Sequence, residues 1–344
     1  MVRTKRLTPS GIVSINDVAR LSGVSITTVS RVINKFPSVK EGNRHRVLEA
    51  MKQLKYQPSS IAQQLASGKS SVVALVIPRY EGVFYSFYAL ELIRGVGTLC
   101  EVLKLDLLMH LTDAHTQLNF SGLGGVIFSD IIGNRSQVEE ALRIGLPCIV
   151  VNNDPEGIPV NCIAIDNVGG AIEAVSYLIS LGHKKVAHIT GDLITQAAAQ
   201  RLEGYKKGLK KNNIEFKEEL VIKTDYSRGQ ARQAAELLLA MPEPPSAVFV
   251  ASDSMALEVM AVAREMGKEI PKDLSIVGFD DNPSGLYGPV ALTTVRQPLV
   301  KMAEESVKEL YNIMNAKNKS ELKPKKIILP TELVIRESCR PLKH

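Results

Sequence analysis

The sequence predicts a small all-α head followed by an α/β body of two doubly wound halves. Two observations predict the head. Residues 14–34, SINDVARLSGVSITTVSRVIN, carry helical apolar spacing on both sides of Gly23, and residues 1–70 hold twelve Lys and Arg against Asp17, Glu41 and Glu49. One predicts the body: from Val72 onward, short continuous apolar runs alternate with helix-period stretches, as strands and helices do in parallel α/β layers. At 344 residues and 45% hydrophobic, the chain can bury more than one core.

In the head, Ile15, Val18 and Ala19 line one face of a first helix. Gly23 supplies a turn with φ > 0, and Ser25 stands as the N-cap of a second helix whose Val29, Val32 and Ile33 point inward. Ala19 is small where the helices cross, and Val24 plugs the corner between them. Ile26, Thr27, Thr28, Ser30 and Arg31 remain outside: short polar groups, one methyl-rich group and one guanidinium, a set suited to base edges and phosphates. The pattern is a helix-turn-helix whose second helix reads a DNA major groove. Two short helices around a glycine also occur in many helical domains, but the charge favours DNA. The head carries +9, while the remaining residues hold 30 basic against 33 acidic groups, so a polyanion is expected at the head only.

Residues 1–13 read as a disordered basic arm, either a solvated tail or a supplementary phosphate contact. After a loop over Lys35 to Val39, Gly42 to Lys55 reads as a third helix with Val47, Leu48, Met51 and Leu54 on one face. Arg44, His45 and Arg46 near its start reach phosphates or form a solvated basic face. Pro58 ends that pattern, and Ser60 to Ala66 (SIAQQLA) reads as a helix too short to persist alone in water. Three readings stand for its apolar Ile61, Ala62 and Leu65: two copies meet in a dimer, Leu65 wedges between base steps in a minor groove, or the segment is a flexible linker. The expected division is 1–57 for the helix-turn-helix head with its arm, 58–71 for hinge helix and linker, and 72–344 for a two-lobed effector-binding and dimerisation domain.

In the body, strands are expected at Val72–Pro78, Asp106–Leu111, Gly124–Phe128, Pro147–Val151, Val186–Thr190, Leu220–Lys223, Ala247–Ala251 and Leu274–Phe279, with helices between most of them. Ligands of such layers bind outside the carboxyl ends of the strands. Those ends read Arg79-Tyr80, Ser129-Asp130, Asn152-Asn153-Asp154, Gly191-Asp192, Asp225-Tyr226, Ser252-Asp253 and Asp280-Asp281. Carboxylates, amides and hydroxyls beside an aromatic such as Phe84 or Tyr226 suit a polyhydroxylated ligand. Asp and Asn after a strand are also ordinary turn formers and helix caps, which is the plainer reading of each one singly.

SINDVARLSGVSITTVSRVIN followed by LKYQPSSIAQQLASGKS resembles the lactose-repressor (LacI) family of bacterial transcription regulators. ALVIP, IDNVGGA, HKKVAHITG, QRLEGYKKGL, SAVFVASDSMALEVM, LSIVGFDDNP and LTTVRQP extend the resemblance over nearly the whole chain, and imply a periplasmic-binding-protein-like effector domain. The resemblance implies that hinge helices of two subunits pair on operator DNA, with Leu65 as the wedge at a central CpG step and Ala62 beside it. Ile26, Thr27 and Arg31 match base-reading positions, Ser25 and Thr28 match phosphate contacts, and Asn34 completes the DNA-binding set. In the effector domain Arg201 matches the arginine that grips effector hydroxyls or a carboxylate, and Asp280 the acid of the opposite wall. Tyr80, Phe84, Ser129, Asn152, Tyr226 and Ser252 fall at positions that line the pocket, while Asp166 is expected to fix a crossover between the halves.

Three departures from the family pattern are visible. Lys40 and Asn43 stand where the family usually has Ser and Thr at the start of the third helix, so its cap shifts to Asn43 or is lost. Between Thr112 and Gly124, DAHTQLNFSGLG is too short for the family's helix and both connections, so one face of the first sheet should be thinner or covered differently. Thr293-Thr294-Val295 reads as a crossing back to the first half, Lys301 to Asn315 as a returning helix, and Lys326 to Ile335 as a closing strand pair; the tail has no leucine heptad for a tetramer.

These readings predict a sequence-specific transcription regulator, a repressor of a sugar or related metabolic operon. Its expected partners are palindromic operator DNA, a sugar-like effector and a second copy of itself. No cofactor, metal or membrane partner is expected, and the location is cytoplasmic. No GxGxxG follows the first strand, no P-loop or GxSxG occurs, and His110, His115, His183 and His188 pair with no recognisable nucleophile, so an enzyme is not expected. The basic head argues against a free-standing solute-binding protein. Cys100, Cys148, Cys162 and Cys339 have no metal-ligand spacing and read as free thiols.

Overall fold

The computed structural model describes residues 13–34, 36–56, 70–79, 82–113, 115–318 and 322–342. The expectations for the N-terminal arm, the hinge segment 60–66 with Ala62 and Leu65, and Tyr80 lie outside the described residues. The chain divides into two compact units between Ser71 and Val72.

In the first unit, α1 (Ile15–Ser22), α2 (Ile26–Ile33) and α3 (Glu41–Gln53) enclose Val18, Ala19, Val29, Val32, Val39, Val47 and Ala50. The backbone N–H of Ser14 donates to the Asp17 carboxylate at 2.9 Å and its hydroxyl donates to the same oxygen at 2.7 Å, which starts α1. Gly23 ends it at φ 66°, where a Cβ would be strained, and the chain turns directly into α2. α3 starts at Glu41 with no side-chain cap on it, the second of the two expected outcomes, because the Asn43 amide oxygen is taken by Arg46 at 2.6 Å. One expectation for α3 changes. Leu48 is 51% exposed, and Ala50 takes its place inside: the face toward α1 and α2 runs 47, 50, 51, 54, and Leu48 stands about 100° round the helix from Val47.

The second unit contains two six-stranded sheets. The first has the order β11-β5-β4-β3-β1-β2 and is parallel throughout; the second has the order β12-β10-β9-β8-β6-β7, parallel except where β12 meets β10. The strands are β1 (Val72–Pro78), β2 (Asp106–Thr112), β3 (Gly125–Phe128), β4 (Cys148–Val151), β5 (Asn161–Ile165), β6 (Val186–Ile189), β7 (Val221–Ile222), β8 (Ala247–Val250), β9 (Ser275–Asp280), β10 (Thr293–Arg296), β11 (Lys326–Leu329) and β12 (Glu332–Val334). The helices are α4 (Phe87–Val102), α5 (Arg135–Arg143), α6 (Asn167–Ser180), α7 (Gln196–Lys211), α8 (Arg228–Leu239), α9 (Asp253–Glu265) and α10 (Leu299–Asn315).

The chain passes between the two sheets three times: from β5 to α6, from β10 to α10, and from β11 to β12. Three expectations are corrected here. Thr293 to Val295 is not the crossing but part of β10 inside the second sheet; the crossing follows it at Gln297-Pro298. The segment 326–335 is not a strand pair: β11 joins β5 in the first sheet and β12 joins β10 in the second. Pro330, with no N–H to continue the ladder, stands at the break between them. β5 escaped the reading of the sequence because NCIAI begins with a polar residue, and its strand form is fixed by β4 and β11 on either side. α10 follows a strand of the second sheet yet packs on α4, β3, β4 and β5 of the first, as a returning helix should.

The described residues of 113–124 contain no helix. Instead Leu118, Phe120 and Leu123 lie against the cluster of Ala74, Val76, Val126, Phe128 and Val138, so an irregular strap does part of the covering. At the edge, Leu108 on β2 stays 42% exposed. Among the described residues no helix is long and apolar enough to cross a membrane.

Candidate effector cleft and DNA-reading helix

On α2, Ile26, Thr27 and Arg31 are exposed and Thr28 is half-buried. Ser25 caps the helix: its Oγ accepts from the Thr28 backbone N–H at 3.2 Å and lies 2.9 Å from the Thr28 hydroxyl. Asn34 ends the helix, its side-chain amide donating to Ser30 at 3.4 Å. The outward set is thus held at the surface by a buried Val29–Val32 stripe on the opposite side.

In the second unit the strand ends of the two sheets meet: Asp154, after β4, bonds both ways with Gln196, after β6, and Tyr226, after β7, feels the charge of Asp130, after β3. Arg201 is carried there by α7 and is only 4% exposed. Its Nε donates to Asn167 Oδ1 at 2.9 Å, its Nη1 donates to the Ala251 carbonyl at 2.6 Å, and Asp280 Oδ1 lies 4.0 Å from Nη1. The guanidinium also covers the Phe279 ring, which fixes its plane. Asn167 is itself braced, its amide donating to Gln200 at 3.0 Å.

Asp280 ends β9 with φ 133° and accepts from the Gln297 amide. Burial pushes its carboxyl up to about 6, against the pull of Arg201. Behind it Asp253, at the start of α9, accepts from the Thr294 hydroxyl at 2.6 Å and the Asn282 N–H at 2.7 Å; burial and the neighbouring Asp280 charge push it up to about 8. Asp281 faces the other way, into Arg296 and Arg336.

The remaining expected pocket residues divide. Ser129 is fully buried at the end of β3, and its Oγ has no hydrogen-bond partner among the described residues; the same holds for Asn152 Oδ1 at the end of β4, where the backbone turns with φ 61°. Tyr226 lies with its ring against Gly191, so closely that a Cβ at Gly191 would come within 2.0 Å of the Tyr226 Cζ. Its hydroxyl feels the charges of Arg201, Asp280 and, from the other lobe, Asp130. Phe84 is half-exposed on a short 3₁₀ turn before α4. Ser252 acts as the N-cap of α9, accepting from Met255 at 3.4 Å. Asp166 caps α6 by accepting from Gly169 at 2.7 Å, while its own N–H donates to Leu329, so it joins two of the three crossings.

Asn167, Asp253 and Gln297 were missed as site residues, and Asp130 was left out of the pocket set. Asn167 and Gln297 stand inside the quoted IDNVGGA and LTTVRQP motifs, which was the available signal; Gln297 also leaves its Oε1 buried without a partner among the described residues. No cluster of His, Cys, Asp and Glu able to hold a metal ion occurs among the described residues.

Residues 14–59 match the family model of bacterial regulatory proteins, lacI family, and residues 175–339 match that of a periplasmic binding protein-like domain. The chain is 32% identical to the HTH-type transcriptional regulator DegA of Bacillus subtilis (strain 168) over 340 residues, covering 96% of this chain and 98% of that one. This chain belongs to the lacI family of bacterial regulatory proteins. Other relatives of this lacI-family chain are catabolite control protein A of Priestia megaterium, 32% identical over 95% of this chain and 99% of the relative, and the HTH-type regulator MalR of Clostridium butyricum, 34% identical over 95% and 99%. Among solved structures, the Lac repressor dimer bound to operator and the anti-inducer ONPF is similar at a TM-score of 0.82, with 25% identity over 96% of this chain and 99% of that one. The transcriptional regulator CelR in complex with cellobiose is similar at a TM-score of 0.69, with 28% identity over 95% and 99%. The lacI-family chain is a helix-turn-helix transcription regulator.

Proposed function

We propose that this regulator is a dimeric repressor of a sugar or related metabolic operon and that the cleft of its second unit takes the controlling small molecule. One observation carries the reading. The strand ends of the two lobes leave Ser129 Oγ, Asn152 Oδ1 and Gln297 Oε1 buried without partners among the described residues, and the second lobe holds a braced Arg201–Asp280 pair. Buried polar groups left this way are satisfied when a hydroxyl-rich ligand enters. Ile26, Thr27 and Arg31 read bases, Ser25 and Thr28 hold phosphates, and Leu65 with Ala62 engages the operator centre. Ligand-driven change between two arrangements of the lobes shifts a population by roughly 1–3 kcal/mol. The relatives are transcription regulators, and the reading extends to this chain having no catalytic turnover.

The test is a binding selection for palindromes with a central CpG, followed by operator titration with and without a panel of sugars. A selected palindrome whose affinity changes on the order of 5–150-fold with one sugar supports the reading. Leu65→Ala should lose operator binding and keep ligand binding. A purified protein that selects no palindrome would overturn it.

A further inference from the structure

Resting on the reading of the cleft as the effector site, a pair of bonds between its lobes bears on how that site is regulated. Away from the three crossings, the Gln196 side chain of the second lobe meets the Asp154 backbone of the first. The Asp154 N–H donates to Gln196 Oε1 at 2.7 Å, and the Gln196 amide donates to the Asp154 carbonyl at 3.0 Å. One primary amide thus docks on the N–H and C=O of a single residue, as a neighbouring strand does in an antiparallel pair. Pro155 follows Asp154 and favours extended backbone there, in which those two groups point to the same side.

Both ends of this link are anchored. On the first lobe, the Asp154 carboxylate holds Lys326 of β11 and accepts from the Cys162 thiol of β5 at 3.7 Å. On the second, Gln196 is the first residue of α7, and Thr195 before it caps the helix. The Thr195 Oγ accepts from the Ala198 N–H at 3.1 Å, while its hydroxyl donates to the Asp192 carbonyl at 2.7 Å. Thr195 does the capping, so the Gln196 side chain is left for the other lobe. Arg201 lies further along the same helix, about 7.5 Å on by its rise per residue. It is locked to Asn167 and Ala251 of its own lobe. Separating the strand ends must therefore break both Gln196 bonds, and closing them seats Gln196 and brings Arg201 towards the first lobe in one motion.

We propose that the Gln196 amide is a latch that holds the two lobes together before any ligand enters, and so sets the share of free protein whose cleft is closed. A ligand that touches both lobes binds the closed form, and its apparent affinity weakens in proportion as that share falls. Loss of two net hydrogen bonds shifts the closed-to-open ratio on the order of tenfold.

The experiment is small-angle X-ray scattering from the full chain without ligand, compared at equal molecular mass from forward scattering. It sets the unaltered protein beside Gln196→Ala, Gln196→Met and Gln200→Ala. Methionine keeps the length of the side chain and removes both bonds, so expansion there is not a loss of packing. Gln200 lies on the same helix and bonds Asn167 of its own lobe at 3.0 Å, so its removal deletes a bond without touching the link. The expected result is a larger radius of gyration in both Gln196 variants, outside the spread of repeated measurements, and an unaltered one in Gln200→Ala. An unchanged radius in either Gln196 variant overturns the inference, because the lobes then stay together without the latch. Equal expansion in Gln200→Ala overturns it too, because any polar loss on α7 then loosens the unit. The measurement needs neither operator nor effector, and operator selection with its response to sugars does not depend on its outcome, so failure here is distinct from failure of the regulator reading.

Discussion

The guanidinium carbon of Arg201 lies 3.8 Å from the centre of the Phe279 ring. Phe279 is fully buried on β9, so the stack ties this cation to the core of the second sheet. With Nε on Asn167 and Nη1 on Ala251, the fork is oriented at both ends. Lysine offers a point charge with neither the fork nor the flat face. Arg201→Lys should therefore weaken effector binding at least roughly tenfold and destabilise the unit by about 1–3 kcal/mol. Operator affinity without effector should be retained. Calorimetric titration with the sugar that the operator assay identifies, alongside thermal melting, measures both; unchanged ligand affinity would count against the assigned role.

Gly191 and Tyr226 make a second, steric prediction. The ring occupies the space a Cβ would need. Gly191→Ala must push Tyr226 off its place beside Arg201, so ligand response should fall while the operator is still bound. Tyr226→Phe keeps the ring and removes only the hydroxyl, and should lose less. If the two variants titrate ligand alike, ring placement is not what matters.

The buried carboxylates set a pH dependence. Asp130 and Asp280 are pushed up to about 6 and Asp253 to about 8, from an ordinary value of 3.8. A carboxyl raised in the fold binds its proton more tightly there than in the unfolded chain. Its contribution is fully present below about pH 4 and is lost as pH rises through the folded value. These groups should therefore lower the melting temperature of the second unit between about pH 4 and 8. Asp130→Asn should flatten the part between about 4 and 6, which a calorimetric series across that range checks. A slope unchanged by the substitution would contradict the shift assigned to Asp130.

Ser25 caps α2, and the proposed function also gives it a DNA phosphate; two substitutions separate the roles. Ser25→Ala removes the cap on Thr28 and should cost the head about 1 kcal/mol. Ser25→Asp keeps a capping oxygen but places an anion near DNA phosphate. Denaturant melting should favour Asp over Ala, while operator titration should show Asp binding no better than Ala. Tighter operator binding by Asp would remove Ser25 from the phosphate contacts.

Phe120 tests the strap over the first sheet. It is half-buried against the cluster containing Phe128 and Val138. Phe120→Ala should destabilise the second unit by about 1–3 kcal/mol, less than for a fully buried ring, and leave the cleft's preference among ligands unchanged. A loss below about 0.5 kcal/mol would mean that residues 113–124 cover nothing.

Local pattern was enough to specify the head. A cap at Ser14, a left-handed Gly23, a cap at Ser25 and an apolar stripe at 3.6-residue spacing each act within a few residues, so they can be read in order along the chain. The outward Ile26, Thr27 and Arg31 follow from which side that stripe occupies. Leu48 could not be placed that way, because an apolar residue at the border of a stripe turns inward or outward according to what the neighbouring helices leave uncovered. The alternating runs of the body also announced strands and helices, but not which sheet received them. β11 and β12 are two residues apart and in different sheets, and β10 belongs to the second sheet although it leads back to the first. The pairing of β11 depends on a partner more than a hundred residues away, as Lys326 beside Cys162 shows. The cleft follows the same division. Arg201 and Asp280 were legible from short motifs, whereas the brace from Asn167, the buried Asp253 and the Gln297 amide held on Asp280 exist only because three crossings bring two sets of strand ends together. Hydrogen bonding and burial, and through them the carboxyl shifts, are properties of that meeting, and no single segment contains them.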